Sequence, residues 1–403
     1  MQRSHSTSAH LARLGFAEPG RSAGLLAERV LSELVGEAGA DDLAEPLSRG
    51  ADPDLAVLGL IRLVEATQAR PAARDGLADL LQSDDERRHR LLVTLGGSRA
   101  LVDHLATHPE HWRAAADATP PTGADLRSAM TDAVRAHYRS PRQTPSGMPS
   151  RSYPPAYDVL RVEYRRQLLR IAALDLATSD PVTHLPVAAE ALAQLAEATL
   201  EAALLISREE FGPGHEDCRL AIIGMGKTGG GELNYVSDVD VIFVVEPADG
   251  ATEERAVEVG TVLAAATMKA CGSSTAEGTL WPVDAALRPE GKQGPLVRTI
   301  ASHKAYYERW AKTWEFQALL KAWVSAGDLE LGKAYKETLK PLIWGAAGRD
   351  NFVEDVQAMR RRVEQHVPAA EAARQLKLGP GGLRDVEFSV QLLQLVHGRT
   401  DES

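Results

Sequence analysis

The chain has 403 residues and a net charge of −11, from 45 basic and 56 acidic side chains. That length exceeds one ordinary core and points to two or three domains, and the acidic balance argues against a nucleic-acid or anionic-membrane surface as main partner, since both reward clustered Lys and Arg. Cys218 and Cys271 are too few for a disulfide framework and have no metal-ligand neighbours; with no apolar leader or spanning-length apolar run, the expected location is cytoplasmic.

Residues 1–139 are predicted to form a helical N-terminal region, in which Leu26, Val30 and Leu34 recur four apart. His104, His108 and His111 have helix-face spacing, but Pro109 interrupts the run and no cysteine is near. They are expected as surface or helix-end histidines rather than a metal site. Residues 140–155, rich in Pro, Ser and Arg, read as a linker. Two strong helices then form a helical lead over 156–210. One carries Leu160, Tyr164, Leu168 and Ile171, and the other runs from Val187 to Arg208.

The texture changes over 211–299. The apolar runs Arg219–Met225 and Val239–Val245 read as buried strands. A helix follows over 252–270, then a third strand-like run from Leu280 to Leu287. Residues 300–403 are predicted to return to helices. The fold class is therefore α+β and mostly helical, with an α/β core between helical N-terminal and C-terminal regions.

Between the first two strands lies Gly224-Met225-Gly226-Lys227-Thr228-Gly229-Gly230-Gly231, and the next strand opens with Ser237-Asp238-Val239-Asp240-Val241. Strand side chains alternate faces, so Asp238 and Asp240 share one face. Two carboxylates beside a glycine-rich turn suit a Mg²⁺–nucleotide site, with Gly226, Gly230 and Gly231 letting backbone amides approach phosphate. Lys227 and the Ser237 hydroxyl are candidate phosphate contacts. Asp284 would complete the metal set, and Arg288, placed on the same face of the third run, would neutralise a phosphate. Gly226-Lys227-Thr228 also imitates the end of a P-loop. A P-loop needs its first glycine where Ala221 stands and a helix where Gly229-Gly230-Gly231 stand, so this reading ranks lower.

These residues resemble the family of bifunctional glutamine synthetase adenylyltransferase/adenylyl-removing enzymes. The likeness runs through residues 224–241, then Val283-Asp284-Ala285-Ala286-Leu287-Arg288-Pro289, then Lys377-Leu378-Gly379-Pro380-Gly381-Gly382-Leu383-Arg384-Asp385-Val386-Glu387-Phe388. The resemblance implies a nucleotidyltransferase core of polymerase-beta-like fold. It also implies Mg²⁺ at Asp238, Asp240 and Asp284, and a second glycine-rich turn whose amides, Lys377 and Arg384 face nucleotide. Tyr306-Tyr307-Glu308 and Trp314-Glu315-Phe316 match the family as packing.

Three departures stand out: Thr228 where the family has Leu, Asp385 where it often has Glu, and Trp323 where it has Arg. The family carries two such units. The position of this one implies the adenylyl-removing reaction on glutamine synthetase, with phosphate consumed, ADP released and PII signal protein regulating. A linker and second catalytic unit are expected to follow, so the helix bearing Phe388, Leu392, Leu393, Leu395 and Val396 is expected to pack within the helical tail. The alternatives are a regulatory module that senses nucleotide or PII without turnover, and a P-loop-type ATPase.

Overall fold

Helical periodicity dictates the first third of the chain, and capping residues set its boundaries. The computed structural model describes residues 2–139, 154–350, 352–365, 367–368, 370–371 and 374–400. The linker expected at 140–155 therefore lies almost wholly outside the described residues. Helix α1 (Pro53–Gln68) starts where Asp52 accepts from the Leu55 amide at 2.9 Å, with Pro53 in the first turn. Asp85 caps α2 (Glu86–Gly97), accepting from the Arg87 and Arg88 amides at 3.0 Å each. Ser98 caps α3 (Arg99–Thr107). Leu60, Leu63 and Val64 of α1 pack with Leu91, Leu95, Val102 and Leu105 of the other two, all buried. Each such side chain contributes about 1.5–3 kcal/mol by leaving water.

The chain divides into two compact units. One comprises Met1–Ala129 and Arg161–Leu195, and the other Met130–Leu160 and Ala196–Ser403. The long helices α4 (Ala156–Ala177) and α5 (Pro181–Phe211) run across the division.

The second unit holds the sheet. Strand β1 (Cys218–Gly224) lies in its middle and pairs antiparallel with β2 (Val239–Pro247). Helix α6 (Glu253–Gly272) follows. Two short strands, β3 (Val283–Asp284) and β4 (Val297–Arg298), then share the free edge of β2, both parallel to it. The third apolar run thus yields two residues of strand rather than the eight expected from Leu280 to Leu287. The backbone turns after Asp284, where Asp284 accepts from the Ala286 amide at 2.7 Å.

Helices α7 (Ile300–Arg309) and α8 (Thr313–Leu319) come next, followed by a strand that helical periodicity did not predict. This is β5 (Trp323–Gly327), antiparallel to β1 on its other side. Helices α9 (Leu329–Gly345), α10 (Phe352–Gln365) and α11 (Leu383–His397) complete the unit.

Strands β1 and β2 are apolar on both faces because both faces are covered. Ala221, Ile223, Ile242 and Val244 pack with Tyr307, Phe316, Leu331 and Tyr335 from α7, α8 and α9. On the opposite face, α6 comes close enough that Gly260 lies against Val245 and Cys218. Both cysteines are free and buried. Tyr307 and Phe316 are core residues, and Glu315 caps α8 by accepting from the Lys312 amide at 2.9 Å. The end of α11 packs only in part. Leu395 is buried with Phe352 and Val356, and Leu392 lies against them. Leu393 and Val396 are exposed. No described helix is long and apolar enough to cross a membrane.

Of the three histidines, His108 ends α3 as expected and, like His111, is half-buried, whereas His104 is not a surface group. Helix α3 ends at Thr107, and a 3₁₀ turn over Pro109–His111 folds the chain back. His104 is buried, and its Nε2 lies 3.0 Å from Nδ1 of His111. Burial lowers the His104 imidazole to about 3, so it is neutral.

Candidate functional site

The start of β2 concentrates negative charge through register. Val239 and Val241 point into the interior and are fully buried, which turns Asp240 to the other face. Asp238 precedes the strand by one residue and is exposed. The parallel pairing of β3 sets Asp284 directly beside Asp240. Burial, then Asp284, then Asp238 push the Asp240 carboxyl up to about 6, while Lys377 and Arg384 pull it down. The first and third motifs therefore act on one carboxylate, although 137 positions separate Asp240 from Lys377 in sequence (377 − 240). A cavity of about 660 Å³ opens beside Asp238 and Asp284, with Arg288 and Lys292 on its wall.

The glycine-rich turn is shaped by its protein neighbours. It forms a short helical turn over Gly226–Gly229, tied to β2 by the Met225 amide donating to the Asp240 carbonyl at 2.8 Å. Gly226 has φ +54°, and a Cβ there would stand 2.6 Å from the Asp240 carboxylate. At Gly229 a Cβ would meet the Lys321 carbonyl at 1.9 Å. Only glycine fits either position. The amides of Gly229, Gly230 and Gly231 already donate to Met225, Gly226 and Thr228 carbonyls, so they are not the open phosphate donors expected from composition. No long helix follows the turn, and the P-loop reading fails on that ground.

Several expected phosphate contacts have other duties. Lys227 donates to Asn234 Oδ1 at 2.8 Å, and Ser237 donates to the Asp238 carbonyl at 3.0 Å. Arg288 does not share a strand face with Asp284, because the strand ends there. Its guanidinium donates to the carbonyls of Ala285, Gly294 and Pro295 at 2.7–3.2 Å and holds that loop closed.

In the third motif, the helix-opening amides of Leu383, Arg384 and Asp385 donate to Leu376, Lys377 and Gly382 carbonyls. They too are occupied. Asp385 accepts from the Gly381 amide at 2.6 Å and pairs with Arg360, which holds its carboxyl below the usual range. Arg360 also donates to the Leu378 and Gly379 carbonyls at 3.2 and 3.0 Å.

Sequence reasoning missed the residue that joins the two turns. Lys321 Nζ donates to Glu232 at 2.8 Å and lies 3.5 Å from Glu387, and Glu387 stands 3.3 Å from Arg384. No spacing rule links positions 232, 321 and 387; β5 and α11 bring them together. Trp323 is exposed at the start of β5, paired with Gly224, and Lys336 lies over its ring at 4.7 Å. Thr228 is buried, and its hydroxyl has no hydrogen-bond partner.

The chain matches a family model described as glutamate-ammonia ligase adenylyltransferase over residues 89–338. Residues 357–402 match a second model, described as GlnD PII-uridylyltransferase. The bifunctional glutamine synthetase adenylyltransferase/adenylyl-removing enzyme of Streptomyces avermitilis is 54% identical over all of this chain and 38% of its own length. The Streptomyces coelicolor protein of that name is 51% identical with the same coverage. Its Mycolicibacterium smegmatis counterpart is 48% identical over 90% of this chain and 35% of its own length. The chain thus spans little more than a third of these relatives.

Proposed function

The chain belongs to the glutamate-ammonia ligase adenylyltransferase family, and we propose that it is the adenylyl-removing unit, from the N-terminal half of a bifunctional enzyme, with a polymerase-beta-like nucleotidyltransferase core. Its substrate is adenylylated glutamine synthetase, its co-substrate inorganic phosphate, and its product ADP. The side-by-side register of Asp240 and Asp284, with Asp238 next to them, carries the nucleotidyltransferase part of this reading, and the removing direction rests on the family resemblance. Three carboxylates are hard oxygen donors, which suit Mg²⁺, and a cation would offset the cost that burial, then Asp284 and Asp238, places on the Asp240 charge. When bound, Mg²⁺ polarises the phosphodiester and offsets charge developing on the transferred group.

The chain's own residues supply the rest. Asp238, Asp240 and Asp284 would hold the cation, while Lys377 and Arg384, which act on Asp240 electrostatically, would supply positive charge for the attacking phosphate. A phosphate oxygen attacks the α-phosphorus in line, and the bond to the tyrosine oxygen breaks. The departing phenolate takes a proton from solvent. Hydrogen phosphate is already a competent nucleophile, so no histidine base is required. The match of residues 357–402 to a PII-modifying enzyme family supports PII signal protein as a regulator.

The deciding experiment incubates the chain with adenylylated glutamine synthetase, Mg²⁺ and phosphate, and separately with unmodified synthetase and ATP. Phosphate-dependent ADP release in the first reaction is expected. AMP transfer in the second with none in the first reverses the direction, and no turnover in either leaves a regulatory module.

A further inference from the structure

We propose that Lys321 is a positioning residue for the attacking phosphate, because its ammonium balances Glu387 and so leaves the Arg384 guanidinium available to that anion. This rests on the reading above, in which Lys377 and Arg384 supply positive charge for phosphate. Lys321 lies between α8 and β5, and its backbone carbonyl closes against Gly229, where a Cβ would stand 1.9 Å away. Its stem then runs past Gly230, whose Cβ would meet Lys321 Cδ at 3.2 Å. The ammonium ends between two carboxylates, donating to Glu232 at 2.8 Å and to Glu387 Oε1 at 3.5 Å. Glu387 Oε1 also accepts from Gln391 at 3.4 Å, and its other oxygen stands 3.3 Å from Arg384 Nη1.

These contacts close a ring around Asp240. The Met225 amide fastens the first turn to the Asp240 carbonyl, Lys321 fastens that turn to α11, and Arg384 of α11 acts back on the Asp240 carboxylate. Charge balances within the ring, with Lys321 and Arg384 set against Glu232 and Glu387. Without Lys321, two carboxylates face one guanidinium, and the unopposed Glu387 competes with phosphate for Arg384. Arg384 keeps capacity for an anion, since its Nε has no hydrogen-bond partner among the described residues. A role in stability alone explains less. The Glu232 side chain is 60% exposed, and exposed pairs contribute little. Glu387 and Arg384, at 33% and 32%, are screened less, so the charge of Lys321 is felt most there.

The test compares ADP, whose β-phosphate is the attacking phosphate after transfer, with AMP, which lacks it. Calorimetric titrations of the whole chain in Mg²⁺ are expected to show Lys321→Met binding ADP about tenfold more weakly, with AMP unchanged. Lys321→Arg keeps the charge and is expected to stay within about threefold of wild type. Lys321→Met combined with Glu387→Gln restores the balance and is expected to recover most of the lost ADP affinity. In the removal reaction, Lys321→Met is expected to raise KM for phosphate about tenfold and to change kcat less. Circular dichroism checks each fold. Should Lys321→Met not fold, Glu387→Gln alone decides: it is expected to bind ADP at least as tightly as wild type, and weaker binding overturns the proposal. So does unchanged ADP affinity in folded Lys321→Met, an equal loss for AMP, no recovery in the double variant, or a wild-type chain that binds ADP no better than AMP. A wild-type chain that binds ADP but releases none from adenylylated synthetase breaks the removing direction only, and the comparison of ADP with AMP still decides on Lys321.

Discussion

Two glycine-rich turns serve this chain, and each stands beside an aspartate, with opposite electrostatics. Asp240 is pushed up to about 6 by burial first and then by Asp284 and Asp238. Asp385 is paired with Arg360, accepts from the Gly381 amide and is held low. Both turns use their amides internally. One aspartate carries a charge that costs the fold stability, whereas the other closes a turn and is already neutralised. A family motif thus spans both an uncompensated carboxylate and a paired one, and only the partners of each carboxylate tell them apart.

Removing the charge at Asp240 is the strongest way to break that contrast. Asp240→Asn is expected to lower turnover by 10³-fold or more, on the order of the cost of losing a preorganised charge at the reacting centre. The same variant is expected to melt higher without metal. Moving a carboxyl from 3.8 to about 6 is worth about 3 kcal/mol at full value, and partial solvation reduces it to about 1–2 kcal/mol. The sign follows from the direction. A raised carboxyl stabilises the fold below pH 3.8 and loses that contribution as pH rises through about 6. The gain in melting temperature should therefore be full at pH 7.5 and vanish at pH 3.5. An equal gain at both values would remove the Asp240 charge as its cause.

At the second turn the pattern reverses. Asp385→Asn is expected to lower the melting temperature, fully at neutral pH and progressively less in acid, because a lowered carboxyl loses its contribution as pH falls through its folded value. Activity is expected to fall by about 10- to 100-fold through misplacement of Lys377 and Arg384. Loss of activity with unchanged melting would assign Asp385 to the chemistry instead.

Metal titration sharpens the same contrast. Calorimetric Mg²⁺ affinity is expected to fall about tenfold per pH unit below about 6, as Asp240 takes up its proton, and to be level above pH 7. A flat profile from pH 5 to 8 would separate Asp240 from the cation.

The smallest expected effect lies inside the first turn. The Thr228 hydroxyl is buried and unpartnered, so Thr228→Val is expected to raise stability by about 1 kcal/mol without changing kcat. Chemical denaturation checks it.

The strands β1 and β2 were legible because burial on both faces leaves a continuous apolar run. Strand β5 was not: Trp323-Val324-Ser325-Ala326-Gly327 is short, mixed in polarity and flanked by helical segments. The two-residue strands β3 and β4 have no periodicity to read. Asp238 and Asp240 could be placed on one face by alternation alone, but the closeness of Asp284 depends on parallel register, which no local spacing encodes. Arg288 misled for the same reason, since its face was inferred from a strand that ends four residues earlier. Lys321 carries no signal of its own, because its partners Glu232 and Glu387 meet it only through the fold. Among the histidines only His104 misled: it is buried in α3, and the turn after Pro109 brings His111 back against it.

One feature of the sheet bears on how the molecule breathes. The third carboxylate rests on a strand of two residues, whose backbone is held by the Val239 amide donating to the Pro282 carbonyl at 3.1 Å and by the short parallel ladder. A ladder that short opens at far lower free energy than the core of β1 and β2. A cation shared between Asp240 and Asp284, as proposed, would add a cross-strand tie where the backbone provides few, so amide hydrogen exchange over residues 283–288 should slow on Mg²⁺ addition while β1 stays unchanged. The site would then complete its own secondary structure only when loaded.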